Sequence, residues 1–244
     1  MKRLGLAIAS GLLLYPTVAV AQDTPTLFTM YYRCSQLQEG QADEAVQESL
    51  GPLIQQQVDA GTLSGWGWLS HRQGGAWRKA LYMAGTDRSA MMDARGEIFS
   101  EFLGTDAAAD LNGSCPGHDD YIWTGVSNSP GGADATPAPA VVSSYHVCSR
   151  AREGRADEIF EDLLAPLYKK HTDLGHLSTW GWWSHRSGGR FRRLETMSGA
   201  DANTLMDMTE AIYGEAGETD PLALQEFLEI CDSHVDYMWA RPAQ

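Results

Sequence analysis

The residues best suited to chemistry in this 244-residue chain lie in two stretches, and each stretch occurs twice. The first reads LSGWGWLSHRQGG at 63–75 and LSTWGWWSHRSGG at 177–189, identical at ten of thirteen positions with an offset of 114. Strand alternation puts Trp66, Trp68 and Arg72 on one face, and Trp180, Trp182 and Arg186 on its twin. Aromatic rings mixed with hydroxyls (Ser64, Ser70) and a guanidinium are what a ligand cavity uses, so this face is expected to line an interior cavity. The planar fork of Arg72 or Arg186 suits a carboxylate or enolate oxygen. The glycines of the opposite face would let a helix approach closely. The second stretch closes each copy, CPGHDDYIW at 115–123 and CDSHVDYMW at 231–239. There His118 and Asp120, like His234 and Asp236, alternate onto one strand face, and the carboxylate could orient the imidazole for acid–base work.

Each of these groups has a structural reading beside the chemical one. Large aromatics dominate cores. An arginine in an acidic chain forms rim salt bridges, which applies to Arg78 and Arg192 as well. A His–Asp pair at the start of a strand is a common hydrogen bond. Retention in both copies is double-edged, because a fold needs a residue twice and a catalyst needs it once. Cys-x-x-His suggests a metal, but an oxidised cysteine is no ligand and the set is short of donors, so no metal and no cofactor are expected. His171 and His176 occur in the second copy alone and read as solvated. His146 matches Tyr32 and belongs to no repeated site. No Ser-His-Asp order, nucleophile elbow, P-loop or dinucleotide fingerprint is present.

Lys2 and Arg3, the apolar run from Leu4 to Tyr15 and Ala19-Val20-Ala21 form a signal-peptide pattern over residues 1–21, so the chain is expected to be exported, periplasmic or extracellular. The formal charge is −14, with dispersed acids, which speaks against nucleic acid and anionic membrane as partners. Four cysteines in an exported chain imply disulfides. The duplication matches Cys34 to Cys148 and Cys115 to Cys231, so Cys34–Cys115 and Cys148–Cys231 are the economical pairs among three possibilities. Each would contribute on the order of 4 kcal/mol by closing a long loop.

The elements that must carry these residues follow from the repeat. Residues 22–125 and 144–244 are the two copies, joined by a Pro/Ala/Gly-rich linker at 126–143. In each copy a strand (28–36, 143–149) precedes a helix with apolar residues at helical spacing, interrupted by Pro52 or Pro166 and ended by Gly61 or Gly175. The Trp strand, a GG hairpin turn and a returning strand come next. Asp87 and Asp201 cap a second helix, and His118–Thr124 or His234–Ala240 is the last strand. The β-α-β-β-α-β order is the ferredoxin-like arrangement, with an antiparallel sheet and both helices on one face. Two tandem copies can cover each other's open sheets, which predicts an intramolecular pseudo-dimeric α/β barrel and a monomeric chain.

The element order, the mid-helix proline and the Gly-x-x-x-x-Trp spacing (Gly61 to Trp66, Gly175 to Trp180) resemble the dimeric α+β barrel superfamily. That group includes NIPSNAP-like, EthD-like and antibiotic-biosynthesis-monooxygenase-like proteins. The resemblance implies a ligand cavity between the sheets. Two expectations follow. One is a binding protein, or a non-catalytic barrel, that holds a small apolar or aromatic ligand on Trp66, Trp68, Trp180 and Trp182. The other is a cofactor-independent oxygenase or isomerase in which Arg72 or Arg186 holds an oxyanion and a His–Asp pair moves a proton. Because some members bind haem, His71, His185, His118 and His234 are candidate axial ligands.

Overall fold

A computed structural model describes residues 24–129 and 137–241. The signal segment and the middle of the linker lie outside the described residues. The first half runs β1 (Thr26–Arg33), α1 (Glu39–Ala45), α2 (Gly51–Asp59), β2 (Gly65–Gln73), β3 (Lys79–Gly85), α3 (Arg88–Phe102), α4 (Asp106–Ser114) and β4 (Gly117–Asn128). The second half repeats it as β5 (Ala140–Val147), α5 (Glu153–Ile159), α6 (Ala165–Asp173), β6 (Thr179–Ser187), β7 (Arg193–Gly199), α7 (Ala202–Thr219), α8 (Pro221–Ile230) and β8 (Ser233–Ala240). The eight strands close into one barrel in the order β1-β3-β2-β8-β5-β7-β6-β4, with two seams, β2–β8 and β4–β6, joining the halves. The expected tandem βαββαβ barrel is therefore the fold. Strands β4 and β5 reach into both ends of the segment read as linker.

Local chemistry explains the elements. A π-helical turn, Val46–Leu50 or Phe160–Leu164, separates α1 from α2 and α5 from α6. A proline has no N–H and crowds the preceding turn, and the wider turn removes that conflict. Pro52 and Pro166 then sit in the first turn of α2 and α6, where no donor is needed. Gly61 and Gly175 end these helices at φ 78° and 77°. Asp87 accepts from the amides of Ser89 and Ala90, and Asp201 from that of Thr204, as N-caps. Helices α4 and α8 are additions to the expected order; Thr105 and Asp220 cap them. The disulfides are Cys34–Cys115 and Cys148–Cys231, each fastening the segment after the first strand of a half to the end of its last helix.

The described residues form three cores. Two lie between a half-sheet and its helices, and the third lies inside the barrel. Trp66, Trp68, Trp180 and Trp182 belong to the first two, which corrects the expectation that these four line the interior; Trp183, which has no tryptophan twin, faces the lumen. Trp66 donates to Gln55 at 3.0 Å, and Trp68 to Asp43 at 2.6 Å. Trp182 donates to Asp157 at 2.8 Å and stacks on Phe160 at 4.5 Å, while Trp180 stacks on Tyr168 at 5.4 Å. Asp43 also holds the buried Lys79 at 2.6 Å, and Asp157 holds Arg193 at the same distance, so one aspartate per half ties two strands to the first helix. The glycines of the opposite face admit luminal side chains, not a helix. At Gly67 an added Cβ would lie 2.6 Å from Arg241 Nη1, and at Gly181 it would collide with the Trp183 indole.

The lumen is packed with aromatics that cross between the halves. Trp77 stacks on Tyr31 at 4.3 Å and on Tyr237 at 5.0 Å, and Tyr237 stacks in turn on Trp239 at 5.0 Å. The GG turns make this possible. Gly74 and Gly188 have φ 123° and 125°. A Cβ on Gly75 would strike the Tyr237 hydroxyl, and one on Gly189 the Tyr121 hydroxyl, so each hairpin seats a tyrosine of the other half. The Trp77 amide donates to the Tyr237 hydroxyl at 3.3 Å.

Among the matched positions at which the two helix-facing cores differ, four form one polar cluster in the second half. The first half has Tyr32, Ile54, Leu81 and Phe99, and the second half has His146, Tyr168, Glu195 and Tyr213. Glu195, 3% exposed, accepts from His146 at 3.2 Å, from Tyr213 at 2.9 Å and from Tyr168. Burial alone would raise its pKa, but the His146 hydrogen bond and charge and the two tyrosines outweigh burial and hold it below the usual carboxylate range. Burial pushes both tyrosines well up, so they remain donors.

Two outcomes follow. Gly75→Ala and Gly189→Ala should each cost about 1–3 kcal/mol in denaturant melts, because the opposing tyrosine is held by stacked rings and cannot retreat. Gly65→Ala, which meets open space, should cost less than about 1 kcal/mol. Glu195→Leu should cost about 3–5 kcal/mol by stranding its donors, and grafting the whole first-half set (His146→Tyr, Tyr168→Ile, Glu195→Leu, Tyr213→Phe) should recover most of it. Because the Glu195 pKa is depressed on folding, its contribution is present above the unfolded carboxylate value and is lost as pH falls through the folded one. The grafted variant should show a shallower acid limb in the same melts.

Candidate functional site

A cavity of about 200 Å³ lies in the barrel between the halves. Its walls come from strands of both copies: Leu27, Thr29 and Tyr31 of β1 face Val141, Ser143 and Tyr145 of β5, with β3, β7, β2, β6 and the end of β8 completing the ring. The deep wall is built from buried groups, Tyr31, Ala80, Tyr145 and Leu194. Tyr31 and Tyr145, equivalent under the repeat, meet edge to face at 5.3 Å. Burial pushes Tyr31 up to about 12 and holds Tyr145 well above its ordinary value, so both hydroxyls are donors at neutral pH and neither is a base. The half-buried part of the wall carries Tyr82, Trp183 and Arg241.

The wall departs from the internal symmetry where it becomes polar. Leu69 faces the cavity in one half and Trp183 in the other; Tyr82 corresponds to Thr196, and Arg241 to Gly125. Trp183 donates to Thr196 Oγ1 at 3.1 Å. Trp123 donates to Thr29 at 3.1 Å, whereas Nε1 of its twin Trp239 is buried without a partner among the described residues. Arg241 Nη2 donates to Tyr82 Oη at 2.5 Å, and its Nε to the Ala138 carbonyl at 3.0 Å. Trp123, Trp239 and Trp183 lie in the repeated motifs, but none of these residues is a site candidate in the sequence. Matching the copies position by position, and asking where luminal positions diverge, is the signal that finds them.

The sequence candidates lie elsewhere. Arg72 and Arg186 are exposed on the outer face of β2 and β6; Arg186 donates to Thr124 at 3.1 Å. His118 meets Asp120 at 3.3 Å and His234 meets Asp236 at 3.4 Å, so each expected pair forms, but on the outer face, about half exposed. Asp120 also pairs with Arg95 at 3.1 Å. None of these six residues lines the cavity. Arg78 and Arg192 form the salt bridges considered for them, with Glu39 and Glu153, each at 2.6 Å. His171 is buried, contrary to a solvated reading, between His176 at 3.0 Å and Glu215 at 3.2 Å.

A haem does not fit these imidazoles. Burial, reinforced by Arg78 and Arg192, lowers the pKa of His71 and His185. The arginines approach Nδ1 at 2.6 and 2.7 Å, which makes that atom the acceptor and leaves the proton on Nε2, the atom that would ligate iron. Both rings are packed edge-on against luminal aromatics. The cavity is smaller than the ~300–1,000 Å³ usual for drug-sized ligands, and a porphyrin is larger than those. His118 and His234 face outward. Among the described residues no group of three or more His, Cys, Asp or Glu could hold a metal ion, and no helix is long and apolar enough to cross a membrane.

Neither a family model nor a curated protein sequence matches the chain. Solved structures do. A candidate monooxygenase from Fusobacterium nucleatum subsp. nucleatum superposes with a TM-score of 0.59 at 9% identity, covering 89% of this chain and 92% of that one. A mutant chlorite dismutase from Candidatus Nitrospira defluvii gives 0.54 at 9% identity over 89% and 91%. A candidate monooxygenase from Lactobacillus acidophilus gives 0.53 at 8% identity over 89% and 94%. At such identities the likeness speaks for the fold alone. The described chain, two ferredoxin-like halves closed into one eight-stranded barrel, has the dimeric α+β barrel fold within a single polypeptide.

Proposed function

We propose that this chain is an exported protein that binds one small, mainly apolar ligand in the cavity between its halves. The observation that carries this reading is the composition of the cavity wall: aliphatic and aromatic side chains with hydroxyl donors and the single guanidinium of Arg241, and no carboxylate or imidazole among the lining residues. An oxygenase or isomerase that removes a proton needs a base within reach of its substrate. The carboxylates and imidazoles first considered for that task sit on the outer face, and the luminal tyrosines stay protonated, so binding is better supported than turnover. The disulfides are compatible with export. The volume suits a single substituted ring or a short branched chain.

Trp183 and Trp239 in the wall provide an intrinsic reporter. Titration with benzyl alcohol, a neutral probe of suitable size, should change the tryptophan emission saturably. Ala80→Leu should abolish that change without lowering the melting temperature by more than a few degrees, since the twin position already holds Leu194. Absence of saturable binding by the native chain would remove the reading. Release of a modified product from a bound probe, with or without oxygen uptake, would move the protein to the enzymatic alternative.

A further inference from the structure

We infer that the cavity is built for an anion, specifically a monocarboxylate whose head meets Arg241 and whose apolar body fills the lumen. The inference rests on the cavity being a ligand site and adds the chemical class of the ligand.

Three observations converge on Arg241. The first is its lack of a counter-charge. The half-buried or buried arginines Arg78, Arg192 and Arg193 each meet a carboxylate within 3.1 Å, and the protein as a whole carries an excess of acids. Arg241 has no carboxylate within 4.0 Å among the described residues, although it too is half-buried. Its contacts are the Ala138 carbonyl and the Tyr82 hydroxyl, with the guanidinium 5.5 Å above the Tyr82 ring. These neutral partners orient the charge without cancelling it. A half-buried guanidinium of that kind gains most from a planar anion presented to its free donors.

The second observation is the space made for it. The guanidinium lies across Gly67, where any Cβ would stand 2.6 Å from Nη1. The equivalent glycine, Gly181, instead admits the Trp183 indole. One half of the cavity therefore supplies a cation on a tyrosine face, and the other an apolar ring.

The third observation is departure from the repeat. Arg241 occupies the position of Gly125, and Tyr82 that of Thr196. The aspartate clamps Asp43–Lys79 and Asp157–Arg193, which tie strands to helices, recur in both halves. The Arg241–Tyr82 pair occurs once, at the cavity, which is what orientation of one ligand requires.

The test compares two probes of similar size, benzoate and benzyl alcohol, by calorimetry on the full mature chain. Benzoate should bind at least tenfold more tightly than the alcohol at low salt, and the ratio should shrink as ionic strength rises. Arg241→Gln should bring the ratio close to one, by weakening benzoate far more than the alcohol. Arg241→Lys should keep part of the preference, which shows that charge, and not loss of packing, is being read. Circular dichroism of the variants checks that they fold. Native protein that binds the alcohol but prefers benzoate by less than about twofold overturns this inference and leaves the cavity reading standing. Failure of both probes to bind overturns both.

Discussion

The barrel depends on a reciprocal steric fit between hairpin glycines and the tyrosines of the opposite half. Gly75 has no side chain because Tyr237 occupies that place, and Gly189 yields the same place to Tyr121. Those tyrosines cannot move aside, since each is stacked on the next tryptophan of its own strand. Luminal burial contributes on the order of 25 cal/mol per Å² of apolar surface, and a ring of this size covers enough to make the interlock a main source of cohesion between the halves. The backbone seams are less regular, with register shifts in both β2–β8 and β4–β6. Side-chain fit, more than strand pairing, therefore aligns the two half-sheets, and the cavity wall inherits its shape from that alignment.

Much of this was legible in the sequence, for identifiable reasons. The duplication is strong enough to pair the cysteines, place the caps at Asp87 and Asp201, and identify the GG turns. What strand alternation could not decide was direction. Each half-sheet buries residues on both faces, against helices on one and in the lumen on the other, so alternation sorts residues into two sets without saying which is inside. Trp66 and Trp68 look like cavity residues because large rings beside polar groups often are. The deciding information lies in other elements: Asp43 and Gln55 on the first helical pair hold those indoles on the helix side.

The candidate site was nearly invisible for a related reason. Residues kept in both copies drew attention, yet those residues maintain the fold. Individuality appears where the copies disagree: Gly125 against Arg241, Leu69 against Trp183, Thr29 against Ser143, and the core quartet of His146, Tyr168, Glu195 and Tyr213. The quartet is scattered over four elements of the second half and shows no local pattern. It became recognisable only when β5, β7, α6 and α7 brought one carboxylate to three donors.

Covalent fusion of the halves has a geometric consequence. In a barrel assembled from two identical chains, every lumen position is duplicated by rotation, so an off-axis guest meets two equivalent poses. Here one wall carries Arg241 on Tyr82 and the facing wall carries Trp183, and the rotation no longer maps the interior onto itself. The interior can therefore tell head from tail in a molecule placed across its centre, and hold it in one pose.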